Sequence, residues 1–212
     1  MSDSDPLPKA PQRAPADRGE RAVQLSRAAE DGNAEAQFRL GMLYANGDGV
    51  PLNYVQAVRW IEQAASQGLV NAQSTLAWLY ANGLGVQQDD RLAGQWYLRA
   101  AEQGSATAQY TVAVMYRWGR HGVAKDTAEM LKWYQRAAYA GLAPAQYALG
   151  QLLAEGGPVA RDQVAAYQWL SLAILNGSEP AKRALQELSA QMDPEQIALA
   201  KQQLLQEAKT EH

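Results

Sequence analysis

Between residues 34 and 46, apolar residues return at helical spacing, Ala36, Leu40, Leu43 and Tyr44, with Glu35, Arg39 and Asn46 between them. That period predicts an amphipathic helix over about 34–46. Gly47-Asp48-Gly49 interrupts it, since glycine accepts the positive φ of a helix stop and tight turn. A second helix is predicted from about Asn53, with Ala57, Trp60, Ile61 and Ala64 on one face and Gly68 at its end. A lone hairpin leaves such a stripe open to water. Stacked copies of the hairpin cover it.

The copies are present. LYANGDGV at residues 43–50 returns as LYANGLGV at 79–86, 36 positions later. Ala36-Gln37 recurs as Ala72-Gln73, Ala108-Gln109 and Ala145-Gln146. Small residues follow at Gly41, Ala77, Ala113 and Gly150, then Tyr44, Tyr80, Tyr116 and, in the last copy, Leu153. Tryptophans return at Trp60, Trp96, Trp133 and Trp169, and each unit closes on Gly68, Gly104, Gly141 or Gly177. These columns define four units over about 33–68, 69–104, 105–141 and 142–177, one extra residue in WGRHG lengthening the third step to 37. Asn53, Asp89, Asp126 and Asp162 open the second helix of each unit as N-caps, satisfying an orphan backbone N–H. The glutamines, polar and fixed in phase, are expected to be buried hydrogen-bonders.

The flanks extend the array. Residues 20–31 match a second helix with Gln24 where the tryptophan belongs, which suits an end cap. Residues 178–210 supply a further first helix, then a last helix opened by Asp193-Pro194-Glu195-Gln196. Residues 1–18 hold several prolines and few apolar residues, and read as a flexible tail before one solenoid over 19–212. The expected fold is all-α: a right-handed solenoid of antiparallel helix pairs, about ten helices in all.

With these columns laid out, the chain resembles the Sel-one-like repeat family, relatives of the tetratricopeptide repeats. Its pattern of A-Q, L-G, Y, G-x-G-V, Asp, Trp and A-A-x-x-G covers about residues 20–205. The resemblance implies a solenoid that scaffolds or regulates other proteins, frequently in bacteria.

Composition narrows the chemistry. The chain has no cysteine, which excludes disulfides, zinc-thiolate sites and thiol nucleophiles. A net charge of −3 without long like-charge runs argues against nucleic acid or an anionic membrane as partner. No run approaches the ~20 apolar residues of a membrane span, nor does the N-terminus read as a secretory signal. A cytoplasmic, monomeric protein is expected. His121 and His212 lack a partner motif, and there is no P-loop, G-x-G-x-x-G or G-x-S-x-G. No catalytic residue, cofactor or metal is therefore assigned, and the reading is non-enzymatic.

Positions that vary between copies are free to serve a partner. On the first helices, the i, i+4, i+7, i+11 spacing selects a stripe off the apolar face. The partner-binding candidates on or beside it are Arg39, Met42, Thr75, Trp78, Thr111, Val114, Arg117, Trp118 and Gln151. Trp78 and Trp118 stand outside the tryptophan ladder, and tryptophan and arginine are common at binding hot spots; ordinary repacking at a half-buried position is the competing explanation. The expected function is a scaffold or adaptor holding a partner's peptide or helix in a concave groove, an inhibitor or immunity-type protein being one form of it. A sensor or hydrolase acting on a small molecule or cell-wall fragment is the alternative, with a deep pocket and converging carboxylates.

Overall fold

The structure, a computed structural model, describes residues 15–210. The described residues form eleven helices and no strand. Helix α1 (Pro15–Glu30) caps the N-terminal end. Four helix pairs follow: α2 (Ala34–Asn46) with α3 (Tyr54–Ser66), α4 (Val70–Asn82) with α5 (Asp90–Glu102), α6 (Ala106–Trp118) with α7 (Thr127–Tyr139), and α8 (Ala143–Glu155) with α9 (Gln163–Leu175). Helices α10 (Glu179–Ser189) and α11 (Pro194–Thr210) close the array. Each pair packs on the next, so the core runs as a chain of clusters along an α-solenoid.

Helix α1 starts five residues before the expected position, at Pro15. Proline suits the first turn of a helix, where its missing N–H costs nothing. The expected tail thus falls largely on residues 1–14, outside the described residues. At the other end Gln196 Oε1 accepts from the Asp193 N–H at 3.1 Å, one half of the expected capping box.

The repeated N-caps form as their side chains dictate. Asn53, Asp89, Asp126 and Asp162 accept from the N–H groups of Gln56, Leu92, Glu129 and Ala165 at 2.9–3.1 Å. Their own N–H groups donate to the carbonyls of Tyr44, Tyr80, Tyr116 and Leu153, so each cap also ties the turn to the helix before it.

The glutamine column is the link between pairs. Gln37, Gln73, Gln109 and Gln146 are all buried. Each Nε2 donates to a carbonyl near the end of the preceding helix: Ala29, Ala65, Ala101 or Ala138, at 3.0–3.3 Å. In three copies its Oε1 is also satisfied, accepting from the C-cap side chains Gln67, Gln103 and Asn176 at 2.7–2.9 Å. The third C-cap is Ala140, which carries no amide, and Gln109 Oε1 is buried without a partner among the described residues.

The small-residue column has a steric cause. A Cβ on Gly41 would lie 2.5 Å from Ile61 Cγ1, and one on Gly150 would lie 2.8 Å from Leu170 Cγ. In the first and fourth copies the first helix therefore lies against its partner too closely for a side chain at this position. The extra residue of the third copy is also accommodated by a glycine: Gly94 stands where the other copies have Val58, Leu131 and Tyr167, and a Cβ there would collide with the His121 carbonyl. His121 itself has a φ of 53°, and its Nδ1 lies 3.1 Å from Asp90 Oδ1. The tryptophan ladder divides by place: Trp96 and Trp133 are buried, Trp60 and Trp169 half-buried.

Two outcomes follow from this packing. Ala140 has nearly the backbone conformation of Gln103, so Ala140→Gln should supply the missing amide and stabilise by about 1 kcal/mol, raising Tm by roughly 2–4 °C. Gln103→Ala should do the reverse and more, by orphaning Gln73 Oε1, a loss of about 1–3 kcal/mol. Burial pushes the Tyr97 hydroxyl up to about 12 from the ordinary 10.0 and raises Tyr134 as well. A raised folded value means the native state holds its proton longer than the unfolded chain, so this stability is intact below pH 10 and is lost as pH climbs to about 12. Denaturant melts across that window should fall steeply, and Tyr97→Phe should flatten the fall.

Candidate functional site

Successive first helices leave clefts between them, and cavities open in the clefts near both ends of the array. One of about 290 Å³ lies between α2 and α4, walled by Met42, Ala45 and Asn46 on one side and by Thr75, Trp78 and Leu79 on the other. Tyr54, the first residue of α3, and Ser74 complete it. The second lies between α8 and α10, about 360 Å³, and includes Gln151, Ala154 and Glu155 facing Ala184, Glu187 and Leu188. By the repeat phase these six positions match the six of the first cavity. One cleft geometry therefore recurs, with an apolar lining at one end of the array and a polar, charged lining at the other.

The expected partner-binding residues distribute over this cleft face. Met42, Thr75 and Trp78 meet in the α2–α4 cavity, and Gln151 lines the α8–α10 one. Trp78 is 44% exposed and Trp118 52%. Trp118 stands at the phase of Asn46 and Glu155, and Arg117 at that of Ala45 and Ala154, so both fall at cleft-lining positions on α6. Thr75 and Thr111 donate their hydroxyls to the carbonyls of Asn71 and Thr107, four residues back, at 2.8 and 2.9 Å. With its polar group bound to its own helix, Thr75 contributes a methyl to the cavity. Val114 is half-buried against the core of the third pair.

The two arginines are already engaged. Arg39 Nε sits 2.7 Å from Glu35 Oε1. Arg117 covers the Trp118 ring, with Cζ 5.2 Å from its centre. Burial raises the Tyr134 hydroxyl above its ordinary value, and Arg117 opposes that rise. The acid row Asp89, Asp126 and Asp162 caps helices and faces backbone. Among the described residues, no group of three or more histidines and acids is arranged to hold a metal ion.

Ser74 escapes a reading by residue type. Its Oγ is buried and has no hydrogen-bond partner among the described residues. The other copies carry Phe38, Tyr110 and Tyr147 at this position. Tyr110, the third copy's residue, packs on Tyr134 of α7 and on the cluster that includes Ala145 and Leu149 of α8, so the ring this column supplies serves the contact with the following pair.

The Sel1 repeat profile matches residues 34–69, 70–105, 106–142 and 143–178. Among solved structures, a Sel1 repeat protein from Oxalobacter formigenes is similar at 34% identity and a TM-score of 0.71, over 79% of this chain and 66% of that one. The protective antigen c5321 of uropathogenic Escherichia coli, which displays an SLR fold, is similar at 30% identity and a TM-score of 0.77, over 91% of this chain and 45% of that one. The chain thus spans less than two thirds of the length of either. A search of curated proteins finds no match.

The cleft and ladder tryptophans should separate in stability. Trp133 is buried at 4% exposure, its Nε1 donating to Glu129 at 3.0 Å, and Trp133→Ala should cost about 3–5 kcal/mol. Trp78→Ala should cost about 1 kcal/mol, because much of its ring already meets water. Paired urea melts measure the difference.

Proposed function

The chain belongs to the Sel1 repeat family, and from that premise we propose that it is a non-enzymatic interaction scaffold, binding a segment of another protein along the cleft face of α2, α4, α6 and α8. The observation that carries this reading is the conversion of a packing motif into a surface with variable lining. Positions that hold the fold together repeat; positions that line the clefts change from Met42 and Trp78 to Gln151 and Glu187. Variation in a fixed geometry is what specificity for one partner requires.

Energetics favour the α2–α4 end as the anchor. Partly exposed tryptophan beside an apolar cavity gains most when a partner excludes water from it, and such residues account for much of an interface's energy. The charged α8–α10 cleft contributes orientation more than affinity, since Glu187 is already held by Arg183 at 2.7 Å and exposed ion pairs are weak. The proposed site comprises Arg39, Met42, Thr75, Trp78, Thr111, Val114, Arg117, Trp118 and Gln151. The proposed setting is a bacterial cytoplasm, with the chain a monomer; no helix of the described residues is long and apolar enough to cross a membrane.

Affinity capture from the native host tests the proposal. A protein retained by the wild-type chain should be lost, by tenfold or more, about 1.4 kcal/mol, with Trp78→Ala or Trp118→Ala, while both variants keep most of their Tm. Equal retention by both variants would overturn the cleft-face reading.

A further inference from the structure

We propose that residues 1–14 dock along the chain's own cleft face, with Leu7 in the α2–α4 cavity, so that a partner must displace them; this rests on the scaffold reading and adds its regulation. These residues read MSDSDPLPKAPQRA and join the described structure at Pro15. Helix α1 turns into α2 through residues 31–33, and the two pack as an antiparallel pair. The start of α1 therefore lies beside the end of α2, at Asn46. The α2–α4 cavity opens at that same edge of the stack, walled by Ala45 and Asn46 and by Tyr54, the first residue of α3. The lengths agree. Leu7 stands eight residues before Pro15, a reach of about 25 Å at the ~3.1 Å rise of a polyproline II segment. From α1 around the end of α2 to the cleft is two helix-packing distances, roughly 20 Å.

The chemistry agrees as well. The cavity holds about 290 Å³ and is lined by Met42, Trp78, Leu79 and Tyr54, an apolar groove with aromatic walls. Such grooves take proline-flanked segments, because prolines hold the chain extended before it binds and little entropy is lost in ordering it. Pro6-Leu7-Pro8 sets a large apolar side chain between two prolines. Beyond Leu7, along the array, come Asp5 and Asp3, and the face ahead of them is matched in charge. Helices α4 and α6 contain no acidic residue, and their single charged residue is Arg117, at a cleft-lining position beside Trp118. The four residues from Leu7 to Asp3 reach about 12 Å further, one helix spacing along the face, which brings a carboxylate toward Arg117.

The chain has no cysteine, so Ser4→Cys places a single nitroxide on the full chain while NMR follows the tryptophan indole N–H signals. Docking should broaden Trp78 and Trp118 until most of their intensity is lost and leave Trp169, on α9 toward the other end of the array, sharp. Leu7→Asp should restore both signals. A peptide of residues 1–14 added to the unlabelled Leu7→Asp chain should shift the Trp78 signal at about millimolar concentration, the effective concentration that a short tether supplies. Trp78 and Trp118 signals that stay sharp, or broadening that Leu7→Asp leaves in place, would overturn the docking. So would broadening passed from nitroxide-bearing chains to isotope-labelled copies without nitroxide, since the segment then lies on a second copy. Should the segment fail to dock while Trp78→Ala still releases a captured protein, the scaffold reading stands and only its regulation is wrong. Should it dock while even the Leu7→Asp chain captures no protein, the docking stands and the scaffold reading falls.

Discussion

One buried amide per repeat joins each helix pair to the helix before it, and the regular stacking of the array depends on that link. The helix that ends before each repeat leaves carbonyls without intrahelical partners, and the alanines that carry the linked ones, Ala29, Ala65, Ala101 and Ala138, are buried. Gln37, Gln73, Gln109 and Gln146 each bring an N–H to that end. An alanine or leucine at this position would bury the same surface and leave the carbonyl less satisfied, while a charged residue could not be buried so deeply without a counterion. The amide is also directional. It fixes the height of one helix against the other, where apolar packing alone tolerates sliding.

Once height is fixed, the other columns follow as consequences. Helices locked in register must pass one another at a set point, and at that point Gly41 and Gly150 leave no room for a side chain. The cap residues are held in place because the turn they close spans two helices of fixed separation. The third repeat shows how a departure is absorbed without disturbing that register: the added residue in its turn moves the His121 carbonyl onto α5, and Gly94 makes the space. The unpaired Gln109 Oε1 is a second local irregularity of the same repeat. Gln109 Nε2 still donates to the Ala101 carbonyl, so the array continues past it.

Much of this was legible in the sequence because it is governed by residues close together in the chain. A helix of thirteen residues, its cap and its stop are decided by local backbone chemistry, and α2 runs from Ala34 to Asn46 as the spacing of its apolar residues implies. The glutamines were recognisable as buried because a polar side chain held in phase needs a structural reason. Their acceptors were not recognisable, since these lie eight residues back around a turn and their second partners thirty or so residues ahead. The N-terminal boundary was misplaced because charge and proline content, read as tail, do not forbid a helix that opens on Pro15. Of the candidate site, the face was legible and the cavity was not. Trp78 and Met42 stand out by type and phase, but that they share a cavity depends on the distance between α2 and α4, which no single helix encodes.

The division between fold and function in such an array is then a division between the two sides of each first helix. One side carries glutamine and a small residue in every copy, and substitutions there alter the spacing of the stack. The other side is only half-buried, so its residues change without that cost, and differences between copies accumulate where neighbouring helices part. The α8–α10 cavity, at the same phase, stands where the residue equivalent to Ser74 is Arg183, so the opening belongs to the cleft geometry itself and each copy only sets its lining. The neighbouring amide links, Gln37 to the Ala29 carbonyl and Gln73 to the Ala65 carbonyl, hold the flanking helices in register, and that keeps the opening between α2 and α4 a shaped space.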